Sequence, residues 1–151
     1  MLEPGGIAPE FSLKDVEGNR TSLRTNLKLG PVLATFFKIS CPTCQLTLPF
    51  LERLKDNLRV VGISQDDADS TREFLDYFKI TFPVLIDPAS DRYAVSAAYH
   101  LENVPSTFLI KDGKISWSLS GFHKGDLEAL AARFGVALFA ADEKVPLMKP
   151  G

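Results

Sequence analysis

Phe36-Phe37-Lys38-Ile39-Ser40-Cys41-Pro42-Thr43-Cys44-Gln45 is the stretch whose reading decides the fold, and it holds both cysteines of the chain. Before it, Val32–Phe37 is nearly all apolar, as a strand covered on both faces is. After it, Leu46, Phe50, Leu54 and Leu58 recur every four residues with Leu51 alongside. That spacing predicts an amphipathic helix over residues 42–57, kinked at Pro49. Pro42 suits the first helical position, where its missing N–H costs nothing. Cys41 therefore falls at a helix start, where the first amides lack intrahelical partners and the dipole is positive. A cysteine in that setting, and in a Cys-x-x-Cys pair, populates its thiolate near neutral pH. Cys44 lies one turn on, on the same side of the helix, placed to attack a mixed disulfide formed at Cys41.

Outward from this junction the pattern alternates. Residues 1–30 read as an entry arm, with a hairpin built from Phe11–Leu13 and Thr21–Leu23 about a turn at Glu17-Gly18-Asn19. Val60–Ile63 is a second buried strand, followed by the acidic loop Ser64–Asp69. Ser70-Thr71-Arg72-Glu73 reads as a capping box opening a helix through Phe74, Leu75 and Phe78. Phe82–Ile86 is a further strand, and residues 90–98 a short helix. Thr107–Ile110 is a strand, Asp112-Gly113 a tight turn, and Ile115, Trp117 and Leu119 alternate with serines as in a half-buried antiparallel strand. A closing helix through Leu127, Leu130 and Phe134 ends at Gly135. The tail from 136 to 151 is weakly patterned and expected to be irregular or loosely packed. The order predicts one α/β domain over 1–151, its sheet parallel through the middle with an antiparallel hairpin at the end. Functional groups in such sheets sit at the carboxyl ends of strands, where Cys41 lies.

Composition narrows the function. At 151 residues and net charge −2, the chain has one sizeable core and no electrostatic footprint for nucleic acid. No apolar run approaches the roughly 18 residues of a membrane span. No signal peptide opens this chain, so its compartment is left open between cytoplasm and a mature extracytoplasmic domain. Two cysteines are too few for a disulfide scaffold.

Four features together resemble the thioredoxin superfamily, most nearly the TlpA-like thiol–disulfide oxidoreductases and the related AhpC/TSA-type redoxins. They are Ala8-Pro9-Glu10-Phe11-Ser12-Leu13 with Gly18, Cys41-Pro42-Thr43-Cys44 with Pro49 five residues on, the insertion Phe82-Pro83-Val84-Leu85-Ile86-Asp87, and Val104-Pro105-Ser106-Thr107-Phe108-Leu109-Ile110. The resemblance implies a thioredoxin-like fold, a central mixed sheet flanked by helices, with the N-terminal arm and a central insertion. It implies a cis peptide before Pro105, beside the cysteines, with Val104 pairing with the substrate chain. It implies protein disulfide or dithiol substrates, an upstream reductant and no cofactor. Two departures stand out: Ser40 replaces the usual Trp before the first Cys, and Thr35 replaces a buried Asp. The proton carrier for Cys44 is then sought in the acidic loop, at Asp66 or Asp67, against the alternative that these residues only cap the next helix.

Other chemistries fit less well. A peroxiredoxin-type peroxidase needs Pro-x-x-x-Thr-x-x-Cys. The matching positions hold Ala34 and Lys38 before Cys41, and Phe37 and Cys41 before Cys44. A structural zinc would need four ligands from Cys41, Cys44, His100 and His123 at unusual spacing. A binding module that retains its cysteines is the remaining class. Lys38, three residues before Cys41, is read as a strand-end lysine reaching into solvent rather than as a charge that lowers the thiolate pKa.

Overall fold

The computed structural model describes all of residues 1–151. β1 (Ser12–Lys14) and β2 (Arg20–Ser22) form the expected hairpin of the arm, and α1 (Leu23–Leu27) follows. The main sheet contains β3 (Val32–Phe37), β4 (Arg59–Ser64), β5 (Val84–Ile86), β6 (Ser106–Lys111) and β7 (Lys114–Ser120), in the order β5-β4-β3-β6-β7. Between them lie α2 (Pro42–Glu52), α3 (Ala68–Phe78) and α4 (Ala94–Ala98). β8 (Phe122–His123), α5 (Lys124–Arg133) and β9 (Met148–Lys149) complete the chain.

The sheet is mixed, but its reversal lies nearer the centre than the sequence suggests. β3, β4 and β5 run parallel, whereas β6 runs antiparallel to β3 and Ser106 pairs with Phe36. The connection through α4 returns the chain at the carboxyl end of β3, so β6 starts beside the cysteine loop and runs back.

The alternation along β3 divides the core between two faces. Leu33 and Phe37 face α2, α3 and α5 through Leu48, Leu51, Phe74, Leu127 and Leu130. Val32, Ala34 and Phe36 face the arm, with Phe11, Leu13, Leu23 and Tyr99. The Tyr99 hydroxyl donates to the Pro9 carbonyl at 2.8 Å, which ties the arm to the sheet.

Three sequence expectations are corrected, and a fourth is narrowed. The helix expected over 42–57 ends at Glu52. Leu54 and Leu58 continue its apolar stripe from turns closed by bonds such as Leu58 N–H to the Leu54 carbonyl at 2.9 Å. The helix expected at 90–98 is broken because Arg92 and Tyr93 take left-handed conformations, with φ of 54° and 53°. Buried Asp87 instead fixes the start of α4, accepting from the N–H groups of Val95 and Ser96. The capping box at Ser70 is displaced by an earlier cap, since Asp67 accepts the Ser70 N–H at 2.8 Å and α3 begins at Ala68. The tail is irregular, as one of its two expected alternatives had it, apart from the two-residue β9, and as far as Glu143 it is not loose. Leu138 is buried in the core, the Phe139 ring lies 4.6 Å from that of Phe50, and Arg53 bonds both carboxylate oxygens of Glu143.

Candidate active site

β3 delivers the chain to Phe37 at its carboxyl end, and a tight turn follows in which Cys41 N–H donates to the Lys38 carbonyl at 3.3 Å. Cys41 is the N-cap of α2, with extended φ and ψ, and Pro42 takes the first turn. The Cys41 sulfur accepts the Cys44 N–H at 3.0 Å, doing for a cap what a serine or aspartate oxygen usually does. The thiol of Cys41 also contacts the Val104 carbonyl at 3.5 Å. Both cysteines are free thiols; Cys41 is partly exposed and Cys44 is buried. The pair is thus a reachable sulfur in front of a shielded one.

The Cys44 thiol titrates far above its ordinary value of 9.0. Burial is the largest cause, followed by its hydrogen bond with Cys41; negative charge at Cys41 and at Asp66 pushes in the same direction, and only the Lys38 backbone opposes. A buried thiol among acidic neighbours keeps its proton until something takes it.

The two loop acids separate clearly. The Asp66 carboxylate reaches the cysteine loop, where Oδ2 accepts the Ile39 N–H at 2.8 Å, and its own N–H donates to Ser64 Oγ at 3.0 Å. Asp67 caps α3, accepting both the N–H and the hydroxyl of Ser70, which holds its carboxyl below the usual range. Lys38 is exposed, as expected. Thr35 is fully buried and pairs with the Thr107 hydroxyl at 3.0 Å. A hydroxyl pair therefore bridges β3 and β6 at the position where the resemblance would place an acid.

The Val104–Pro105 peptide is cis and adjoins Cys41, as the resemblance implies. Ser106 Oγ donates to the Asn103 carbonyl at 2.7 Å, and Gly121 N–H donates to the Pro105 carbonyl at 2.8 Å, so the loop is held from both sides. No three His, Cys, Asp or Glu side chains converge to form a metal-binding group. No helix is long and apolar enough to cross a membrane.

Sequence reasoning missed one component. Thr43, between the cysteines, donates its hydroxyl to the Pro150 carbonyl at 2.6 Å, and Gly151 packs on the backbone of Val104. The tail therefore reaches the site. The only sequence signal was the apolar pair Leu138-Phe139, which marks an anchor without saying where the chain goes next.

Comparisons with known proteins agree with this architecture. The model of the AhpC/TSA family matches residues 4–118. The thiol-disulfide oxidoreductase ResA of Bacillus thuringiensis subsp. konkukian (strain 97-27) is 27% identical over 127 residues, covering 80% of this chain and 71% of its own. Rv2521 of Mycobacterium tuberculosis (strain ATCC 25618 / H37Rv), provisionally named a peroxiredoxin, is 33% identical over 129 residues, covering 76% and 82%. Among solved structures, the thioredoxin domain of the thiol-disulfide oxidoreductase BVU-2223 from Bacteroides vulgatus superposes with a TM-score of 0.77 at 24% identity, over 89% of this chain and 99% of that domain. The fold is thioredoxin-like.

Proposed function

From its membership of the AhpC/TSA family, to which this chain belongs, we propose that the protein is a thiol–disulfide oxidoreductase that reduces protein disulfides through Cys41 and Cys44. One observation carries the reading. A partly exposed sulfur at a helix start accepts the amide of a buried second cysteine one turn away. The Cys41 thiolate attacks one sulfur of a substrate disulfide, forming a mixed disulfide and releasing the other sulfur as a thiolate. Cys44 gives up its proton and attacks Cys41 Sγ. The Cys41–Cys44 disulfide forms, the second substrate sulfur leaves as a thiolate, and two electrons have passed to the substrate. An upstream dithiol reductant restores the pair by the same exchange in reverse.

Three further residues have assigned roles. Asp66 is the proton carrier for Cys44; its carboxylate lies at the cysteine loop and its charge is felt at the Cys44 sulfur. Asp67 is set aside because its carboxylate is spent on capping α3. Val104 and Pro105 present backbone to the substrate chain, supported by the contact of the Val104 carbonyl with Cys41.

A thiol peroxidase is the second reading, favoured by the likeness to Rv2521. Against it, the positions that would hold the motif's Pro and Thr before Cys41 are Ala34, buried within β3, and Lys38, exposed beyond its end. Parallel assays separate the two. Cys41-dependent reduction of insulin disulfides with only slow turnover of hydrogen peroxide supports the oxidoreductase; fast peroxide turnover with inert insulin replaces it by the peroxidase.

A further inference from the structure

The tail is attached very differently along its length. As far as Glu143 it is anchored by buried Leu138, by Phe139 against Phe50 and by the Arg53 guanidinium on Glu143. Beyond Pro146 the attachment is thin and polar. Met148 and Lys149 pair with His123 and Phe122 over two residues, Lys124 N–H donates to the Leu147 carbonyl at 2.9 Å, and Thr43 donates to Pro150. Leu147 and Met148 are 80% and 54% exposed, so no buried apolar side chain fastens residues 147–151.

This thinly held segment lies beside the cysteine loop, on Thr43 and Val104. Thr43 sits between the two cysteines. A side chain at Gly151 would run into the carbonyl of Val104, the same carbonyl that contacts the Cys41 thiol. At Gly121, where φ is +76°, a Cβ would stand 2.8 Å from the Lys149 carbonyl, so the segment is seated closely over β8. Cys41 itself stays partly exposed.

Resting on the assignment of Cys41 as nucleophile, we propose that residues 147–151 are a displaceable strap that competes with polypeptide substrates for the surface beside Cys41, while leaving the sulfur open to small disulfides. A polypeptide laid along Asn103, Val104 and Thr43 needs the volume and the hydroxyl that the strap occupies. The few hydrogen bonds that hold the segment, Thr43 to Pro150 being only part-buried, exchange for water at small net cost when it lifts, so such a segment opens easily. The anchor at 138–143 holds it at high local concentration, so it closes again after release.

The test compares the full chain, a chain lacking residues 147–151, and the full-length Lys149→Pro variant, in which the β9 ladder loses a donor. Each is assayed on insulin and on 5,5′-dithiobis(2-nitrobenzoate). Opening the strap is expected to raise kcat/KM for insulin about fivefold or more while the small disulfide changes less than about twofold, as follows when the competent state is populated to roughly a fifth or less. A proportional change on both substrates, or no gain on insulin, overturns the strap while leaving the nucleophile assignment standing. Absence of Cys41-dependent turnover of either substrate by every form overturns both. If the shortened chain fails to fold, the Lys149→Pro chain decides the question alone.

Discussion

The backbone N–H of Cys44 donates to the sulfur of Cys41 over 3.0 Å, so one helical turn both caps itself with the first cysteine and shields the second. Burial at this turn makes the two thiols unequal. Cys41 is presented at the surface; Cys44 is packed with Leu48 and Leu51 of the same helix in the core beneath it.

The inequality has a consequence for stability against pH. Burial and its neighbours raise the folded pKa of Cys44 well above 9.0, so the folded state keeps a proton that the unfolded state releases. Stability from this group is complete below pH 9.0 and is lost as pH rises above it, at about 1.4 kcal/mol per pH unit once the unfolded thiol is ionised. Urea unfolding of the reduced protein at pH 8 to 10.5 (roughly the window in which an unfolded thiol ionises) is expected to show this fall. The Cys44→Ala variant is expected to show a flatter profile; equal slopes would contradict the raised pKa.

Asp66 gives a kinetic prediction with opposite signs for its two readings. As proton carrier, its replacement in Asp66→Asn slows release of a substrate thiol from the Cys41 mixed disulfide, by about tenfold or more near pH 7. The defect shrinks as pH rises and solvent hydroxide takes over. As a mere nearby charge, its removal lowers the Cys44 pKa and speeds the same step. Stopped-flow measurement of mixed-disulfide resolution against pH decides between them.

The fold was legible in the sequence where periodicity was strong. The apolar run at 32–37 and the alternation about Trp117 became the expected strands, and the four-residue apolar spacing after Cys44 became a helix as far as Glu52. Boundaries failed where tertiary bonds override a local pattern. Leu54 and Leu58 keep a helical spacing outside the helix because the core, not the helix, demands them. Asp67 captured the cap of α3 from Ser70 because it stands first. The placing of Cys41 at a helix start was legible because that signal is local, and the cis peptide at Pro105 through its resemblance to a known pattern. The reach of the tail was not, since a hydrogen bond between Thr43 and Pro150, 107 residues apart, leaves no periodic trace.

Packing of the tail base predicts a substantial stability cost. Leu138 is only 2% exposed among the side chains of α2 and α5, so Leu138→Ala is expected to destabilise the protein by about 2–4 kcal/mol. Denaturant unfolding measures this directly. A loss within about 0.5 kcal/mol, as found for surface positions, would place the tail off the core.

The arm gives a second stability prediction. Tyr99→Phe removes the donor to the Pro9 carbonyl while keeping the ring packed on Phe36 and Phe108. The expected loss is about 1 kcal/mol, from one hydrogen bond at nearly constant volume.

The most direct measurement is the intact mass of the Cys44→Ser variant after exposure to a protein disulfide, with the bonded residue located by peptide mapping. A stable mixed disulfide at Cys41, absent from the Cys41→Ser variant, is the result predicted. Adduct formation that does not depend on Cys41, or none in either variant while insulin reduction persists, would contradict the assignment of Cys41 as the attacking sulfur and Cys44 as the resolving one.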